Sequence, residues 1–269
     1  MNMKLVSKAL KDEDNYDLLI SIAVPHTIHW GVAKARKINP HLTKIWVADC
    51  GDPYLKVQSD TFQKMPYFKY VELWWGKKAD FLSVPIQDAI KAYHPAIRSK
   101  IKIIPQGFKF SDLKPIKIHK NKIPTFAYGG GFIPNKRDPR NFLEYLIELD
   151  QDYLFYIFTS SKEMVRSYAE RSNNKIIVKD PIPRNEFLGF LSSMDFVINF
   201  ENSGTQQLPS KLIDYAIIAK PILSLDGSNI DQEKVGEFLE GNYDRSLKIA
   251  DIEQYRIENV VNEFLILQN

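Results

Sequence analysis

The sequence predicts an α/β protein whose strands form two parallel, doubly wound sheets. Two observations carry this prediction. Short apolar runs of strand length alternate with segments of helical periodicity along most of the chain. A lysine-rich stretch without clear periodicity, residues 109–122, divides the chain into two such series. We therefore expect two domains, at residues 1–108 and 123–269, joined by a linker.

The first series begins at residue 18 and contains four expected strands. Each strand is a short and largely apolar run, as is typical of strands inside a parallel sheet. Periodic apolar spacing predicts helices at residues 26–38, 62–78 and 86–93. The expected strands lie at residues 18–24, 44–48, 81–84 and 101–104.

The second series restarts the same rhythm and is longer. Its five expected strands lie at residues 125–128, 154–159, 175–178, 196–200 and 222–225. Its five expected helices lie at residues 139–149, 163–171, 184–194, 209–219 and 252–267. Five strands and five helices in alternation make a complete doubly wound domain. The last helix could also pack back on the first domain.

Composition excludes several classes of protein. The chain has 269 residues and a net charge of +3, without the clustered basic run of a nucleic-acid-binding protein. Cys50 is its one cysteine, so no intrachain disulfide can form. No run approaches the roughly 20 apolar residues that span a bilayer. We expect a cytoplasmic location, with peripheral contact at the inner face of the membrane as an open alternative.

The most informative segment is the predicted helix that follows residue 209. Ser210 and Lys211 lie in its first turn, and Asp214 follows about one turn later. A helix N-terminus offers unpaired N–H groups and a positive dipole end, which suit a phosphate. Lys211 would add a charge, and Asp214 could accept hydrogen bonds from sugar hydroxyls. An ordinary capped helix with a solvated lysine is the alternative.

Four motifs resemble, in order and spacing, those of retaining glycosyltransferases of the GT-B architecture, close to the family 4 or group 1 type. The stretch 206–223 is similar to the P-S-K-hydrophobic-acid-Tyr segment with a later Lys-Pro in the C-terminal domain of these enzymes. The other three motifs lie at residues 78–84, 103–108 and 127–139.

This resemblance implies two Rossmann-like domains and a transferase with no metal or other cofactor. The enzyme would move a sugar, hexosyltransferase-like and with retention, from a nucleotide-sugar to a glycan or lipid-linked acceptor, as in polysaccharide biosynthesis. The family's N-terminal domain has several more strands before the one at residue 18. The first sheet is therefore expected to be incomplete, and a dimer is one way of covering its edge.

The resemblance also indicates which residues would bind the donor. The glycine loop with Gly130 and Gly131 would approach the phosphates, because glycine lets the backbone come close. Arg137 is the expected basic contact to the phosphates. The further donor-site candidates lie in or just before the 209–219 helix and are Ser203, Gly204, Gln206, Ser210, Lys211 and Asp214. Gln206 stands where the family often has a glutamate, so it can contact a sugar without supplying charge.

On the acceptor side, polar residues follow the first two strands. His26 and Asp52 lie in these loops, and either could orient or deprotonate an acceptor hydroxyl. A histidine that merely begins a helix is the alternative for His26. Because the histidines are scattered and there is no cysteine pair, the sequence predicts no metal site.

Two other functions remain open at this stage. A non-catalytic or truncated nucleotide-sugar-binding module would keep the donor site without turnover, and a GT-B nucleotide-sugar epimerase would act without an acceptor. A dehydrogenase is disfavoured because Gly129-Gly130-Gly131 lacks the G-x-G-x-x-G spacing, with Pro134 where the last glycine belongs. The sequence does not name the base or the sugar.

Overall fold

The computed structural model describes residues 2–55, 65, 67–110, 121–201, 210–227 and 229–268. The chain divides into two compact units. The first contains residues 2–109 and 253–268, and the second contains the described residues between 110 and 252. The candidates Ser203, Gly204 and Gln206, and most of the predicted linker, lie outside the described residues. None of the described helices combines the length and apolarity needed to cross a membrane.

The first unit has a four-stranded parallel sheet whose strands lie in chain order. These strands are β1 (Tyr16–Ala23), β2 (Thr43–Cys50), β3 (Phe81–Val84) and β4 (Ile101–Ile103). Its helices are α1 (Asn2–Ala9), α2 (Thr27–Ile38) and α3 (Phe68–Lys78), with 3-10 helices at Gln87–Ala92 and Pro95–Lys100. Trp46 and Trp75 are fully buried in its core. Edge strand β1 leaves Ile22 and Val24 beside it exposed.

The second unit has a five-stranded parallel sheet. The strands are β5 (Thr125–Gly129), β6 (Leu154–Phe158), β7 (Ile176–Lys179), β8 (Phe196–Phe200) and β9 (Ile222–Leu225). Their order is β7-β6-β5-β8-β9, so the chain winds outward from β5 in one direction and then, from β8, in the other. This is the doubly wound topology that the sequence predicts.

Apolar side chains on the helices of the second unit pack onto this sheet. The helices are α4 (Arg140–Glu148), α5 (Arg166–Arg171), α6 (Arg184–Leu191), α7 (Ser210–Ile217) and α8 (Gln232–Leu239). Stacked aromatic rings fill the core, with the ring centroids of Phe126 and Phe196 4.5 Å apart. The order of elements therefore follows from alternating strand-length and helix-length apolar patterns.

The final helix, α9 (Ile257–Ile266), belongs to the first unit. The Phe108 N–H donates to the Tyr255 carbonyl at 2.7 Å, and the Ile257 N–H donates to the Phe108 carbonyl at 2.9 Å. A Cβ atom on Gly107 would lie 2.4 Å from Ile257 Cδ1, so only glycine fits at this contact. These bonds tie residues 253–268 to the end of the first sheet.

The structure corrects the predicted helices in four places. Helices α1 and α8 were not expected from the sequence, and residues 86–93 form a 3-10 helix in place of an α-helix. The expected helix at residues 252–267 is interrupted, because a 3-10 turn at Ile252–Tyr255 precedes α9. Helix α8 has a local signal, since the Asp231 side chain accepts a hydrogen bond from the Lys234 N–H as an N-cap.

Candidate functional site

The strand order of the second unit marks one place for a ligand. Strand β5 pairs with β6 on one side and with β8 on the other, so the winding direction reverses between β5 and β8. In open parallel sheets, ligands bind beyond the carboxyl ends of the strands at this reversal. The glycines at positions 129–131 leave the carboxyl end of β5. A ligand of the second unit is therefore expected beyond this end of β5.

Close packing constrains the glycine loop. A Cβ atom on Gly129 would lie 2.3 Å from the Phe187 ring, and Gly130 has a φ of +139°, which side chains disfavour. The Tyr128 hydroxyl donates to the Gly131 carbonyl at 3.1 Å, and this bond holds the glycine loop in position. The main chain at Gly130 is thus fixed in position, and the Gly130 N–H donates to the Phe158 carbonyl at 3.0 Å.

Lys211 extends from the first turn of α7 into a buried position. Its Nζ lies 4.5 Å from the centroid of the Tyr128 ring and has no hydrogen-bond partner among the described residues. Burial, and then the nearby charge of Arg137, together lower the pKa of Lys211 to about 7. Removing water from an ammonium disfavours its charged form, so this lysine is poised to gain a proton when an anion arrives.

Arg137 lies beside the same lysine. Its side chain hydrogen-bonds with the Tyr128 hydroxyl, and its Nε is buried without a hydrogen-bond partner in the described part of the chain. Burial raises the pKa of Tyr128 to about 12 although Arg137 opposes that rise, so Tyr128 stays neutral. No described acidic residue forms an ion pair with Arg137 or Lys211. Two cations side by side without an acid form an anion-binding arrangement.

Arg140, by contrast, is already paired. It begins α4 and forms a 2.6 Å ion pair with Asp138, and the pKa of that carboxyl falls to about 2 mainly through this hydrogen bonding. Of the two arginines next to Asp138, Arg137 is the one with a buried nitrogen that has no described hydrogen-bond partner. The role of Arg137 at the phosphates stays a prediction.

Asp214 lies one turn along α7 and forms a two-pronged ion pair with Arg184. The Arg184 Nε lies 3.1 and 3.2 Å from the two carboxylate oxygens of Asp214, and the arginine's terminal nitrogen also donates to one of them. The Asp214 side chain is 16% exposed. Sequence reasoning missed Arg184, the first residue of α6. The pair orients the carboxylate and leaves acceptor capacity for hydroxyl groups.

The remaining donor candidate is Ser210, the first residue of α7, whose side chain is not described. The structure therefore brings together Gly130, Gly131, Arg137 and Lys211 around Tyr128. Tyr128 was not a predicted site residue. Its only sequence signal is its position immediately before the glycine loop.

In the first unit, His26 and Asp52 follow strands β1 and β2. These strands pair so that Ala23 lies opposite Cys50, which brings both loops to one edge of the sheet. His26 precedes α2 as its N-cap residue and is 6% exposed, with its ring centroid 4.9 Å from that of Tyr54. Asp52 is exposed. Of the two predicted acceptor-side residues, Asp52 is the one whose side chain meets solvent.

Behind this edge lies a buried polar network that the sequence did not predict. The Trp46 Nε1–H donates to Ser21 Oγ at 2.8 Å, and Ser21 Oγ lies 2.8 Å from His29 Nδ1. His29 Nε2 is 3.5 Å from Cys50 Sγ. Burial, and then the neighbouring His26, lower the pKa of His29 to about 3, so its imidazole is neutral near pH 7. Burial raises the pKa of the Cys50 thiol.

Comparison with solved structures shows which known proteins share this fold. No protein-family model matches the chain, and no curated protein matches its sequence. Among solved structures, TarM is similar with a TM-score of 0.67 at 14% identity, over 99% of this chain and 58% of TarM. The lipopolysaccharide outer core galactosyltransferase WaaB gives 0.64 at 13% identity, over 100% of this chain and 80% of WaaB.

A third similar structure is a UDP-N-acetylglucosamine 2-epimerase, with a TM-score of 0.57 at 13% identity, over 99% of this chain and 76% of the epimerase. A mutant of S. aureus TarM has been solved with fondaparinux, α-GlcNAc-glycerol and UDP. The chain spans less than two thirds of the length of TarM. At these identities the likeness concerns the fold: the protein has the two-sheet α/β architecture of the GT-B glycosyltransferases.

Proposed function

We propose that this chain is a glycosyltransferase that binds a nucleotide-sugar through the second unit and transfers its sugar to a glycan or lipid-linked acceptor. One observation carries the proposal. Lys211 and Arg137 lie side by side at the point where the sheet reverses, with Lys211 Nζ and Arg137 Nε buried and without a described acid. Like charges at close range repel each other, so the arrangement is stabilised when a multiply charged anion binds.

The diphosphate of a nucleotide-sugar fits this arrangement. Negative charge accumulates on the leaving diphosphate as the bond to the sugar breaks, and fixed cations stabilise that charge best where water is excluded. In this proposal, Lys211 and Arg137 neutralise the leaving group. The main chain at Gly130 and Gly131 approaches the phosphates, and Ser203, Gly204 and Ser210 add donors from the segment before and at the start of α7.

Asp214 and Gln206 would contact hydroxyl groups of the donor. The pair with Arg184 holds the Asp214 carboxylate in a defined orientation, so that it accepts hydrogen bonds from the ribose. Gln206 would contact the transferred hexose. We propose transfer with retention, in which the departing phosphate takes the acceptor proton, and therefore no metal in the transfer step.

On the acceptor side, we propose that exposed Asp52 orients the acceptor hydroxyl and that His26 lines the same loop. Polysaccharide or lipid-linked acceptors fit a cytoplasmic enzyme that works on or near the inner face of a membrane. WaaB is a galactosyltransferase of the lipopolysaccharide outer core. That likeness supports the class of acceptor and leaves its identity to experiment.

Thermal shift of the purified chain against UDP, GDP, ADP, CMP and dTDP tests the donor site. Ligand that binds only the native state raises its apparent stability, so one nucleotide should raise the melting temperature selectively. The rise should disappear in Lys211→Ala and Asp214→Ala and persist in Lys248→Ala, an exposed lysine of the same unit. A cooperative melt that no nucleotide shifts would overturn the donor-site assignment.

The similarity to a UDP-N-acetylglucosamine 2-epimerase supports a second candidate function, nucleotide-sugar epimerisation. An epimerase would change or release the donor's sugar without an acceptor, whereas a transferase needs one for turnover. Incubating the chain with the selected nucleotide-sugar alone, and then with oligosaccharide and lipid-linked acceptors, separates the two activities. Binding without turnover in either assay would assign a non-catalytic nucleotide-sugar-binding module.

A further inference from the structure

Two histidines and the single cysteine converge at the edge formed by β1 and β2. One possible ligand atom from each of His26, His29 and Cys50 lies within 4.8 Å of the others, and all three residues are buried. His26 and His29 are near neighbours in sequence, whereas Cys50 lies 21 residues beyond His29, and the pairing of β1 with β2 brings it to them. Nitrogen and sulfur donors of this kind are typical of zinc sites.

The distance between His29 Nε2 and Cys50 Sγ fits a tetrahedral ion. With Zn–N of about 2.05 Å and Zn–S of about 2.3 Å, a tetrahedral angle separates nitrogen from sulfur by about 3.5 Å. His29 Nε2 and Cys50 Sγ are 3.5 Å apart. That distance is also compatible with a weak hydrogen bond to sulfur, so it does not by itself decide between an ion and a hydrogen bond.

The surroundings of His29 decide which nitrogen faces the cluster. Ser21 Oγ contacts His29 Nδ1, and the Trp46 indole fixes the position of that hydroxyl. The imidazole is thereby oriented with Nε2 towards Cys50. Histidine ligands of metals are commonly held in this way, with the second ring nitrogen bonded to an oxygen that fixes tautomer and orientation.

We propose that His26, His29 and Cys50 bind one Zn²⁺ ion, with the fourth position open to water. Cys50 would bind as the thiolate, so its thiol proton is released to solvent. The proton of His29 would move to Nδ1 and donate to Ser21 Oγ, which frees Nε2 for the ion. The Ser21 hydroxyl, which donates to Nδ1 in the other tautomer, would then accept from Nδ1 and direct its own hydrogen elsewhere. The ion would hold the loop after β1 against the end of β2, the two segments that carry the candidate acceptor residues.

Cobalt substitution tests the site directly. Chelator-treated protein, reloaded with Co²⁺, should bind about one equivalent and show a thiolate-to-cobalt charge-transfer band with the intense visible bands of tetrahedral cobalt. Stoichiometric Zn²⁺ should abolish both and raise the melting temperature. The charge-transfer band should vanish in Cys50→Ser and persist in His41→Ala, an exposed histidine of the same unit.

A folded wild-type chain that retains no Zn²⁺ and shows no charge-transfer band would overturn the proposal. It would assign the cluster as a hydrogen-bonded network only. If Cys50→Ser does not fold, His26→Ala replaces it, and weaker cobalt binding with an altered visible spectrum is expected. An unchanged spectrum in His26→Ala would also contradict the three-ligand site. Nucleotide binding by the second unit is measured separately and does not depend on this result.

Discussion

The ends of the two sheets solve the problem of buried polar groups in opposite ways. At the end of β5, two cations lie together with no described acid, so the charge is left for a ligand to neutralise. At the ends of β1 and β2, the network of Trp46, Ser21, His29 and Cys50 is neutral, and each member has a partner within the chain. An open set of charges indicates anion binding. In the metal-free chain the neutral set holds its members in position, and it would become charged at Cys50 only on binding the proposed ion.

The largest effect should come from Arg137, which has no ion-pair partner among the described residues. Replacing Arg137 with Met should weaken binding of the selected nucleoside diphosphate by about 100-fold, because a charge-assisted contact to phosphate contributes roughly 1.5–3 kcal/mol. Isothermal titration calorimetry measures the change. Arg140→Met is the matched control, since Arg140 is exposed and paired with Asp138, and its affinity should stay within about threefold. Equal losses in both variants would mean that general positive charge, and not this pair of cations, attracts the ligand.

A smaller effect is expected from opening the neutral network. In metal-free protein, Ser21→Ala should lower the free energy of unfolding of the first unit by about 2 kcal/mol, because Trp46 and His29 both lose a buried partner. Urea denaturation followed by tryptophan fluorescence reports this unit alone, since Trp30, Trp46, Trp74 and Trp75 all lie in it.

Ser99→Ala provides the control for that measurement, because Ser99 is exposed on the 3-10 helix Pro95–Lys100 of the same unit. Its effect should stay within about 0.5 kcal/mol. A Ser21→Ala variant as stable as this control would show that the network is not closed, and the contrast between the two sheet ends would fail.

The smallest expected effect is proton uptake by Lys211 when the diphosphate binds. Lys211 has a pKa of about 7, so roughly nine tenths of it is neutral at pH 8 and roughly one tenth at pH 6. A bound diphosphate favours the charged ammonium and raises this pKa, so binding should take up close to one proton at pH 8 and far less at pH 6. Calorimetry in buffers of different ionisation enthalpy counts the protons. Lys211→Met should abolish the pH-dependent proton uptake. Proton uptake that persists in this variant would show that another group takes up the proton.

The same lysine sets a pH dependence of stability. Its pKa in the folded chain is lower than the ordinary value of 10.5, so the unfolded chain binds more protons between about pH 7 and 10.5. The contribution of Lys211 therefore makes the second unit more stable as the pH rises through that range, and it is fully unfavourable below it. Bound diphosphate reverses the preference, because the charged form then has a partner.

The sequence predicted the nine strands and their grouping because each strand is a short apolar run, and local patterns report such runs well. It missed α8, whose N-cap Asp231 is a weak local signal, and the 3-10 turns, which differ from α-helix by hydrogen bonds that spacing does not encode. GT-B architecture, expected from four motifs, is confirmed by the similar structures.

The candidate site was less accessible to sequence reasoning. Lys211 and Arg137 were chosen by resemblance, but their lack of an acidic partner depends on packing around Tyr128, far from α7 in sequence. The meeting of His29 with Cys50 depends on the register of β1 and β2, in which Ser21 lies opposite Ala48. Such pairings are non-local, and no pattern along one chain specifies them. The assignment of Asp52, His26 and the donor residues stays a prediction.

The hydrogen bonds between Phe108 and residues 255–257 also affect the order in which the protein can be made. The first unit is discontinuous: its last segment is translated only after the whole of the second unit, roughly 7–30 s later at ordinary ribosomal rates. During that interval Gly107 and Phe108 lack their contacts with residues 255–260. The first unit can therefore be completed only after the second unit has been synthesised. We expect chaperones to engage the nascent chain during that interval.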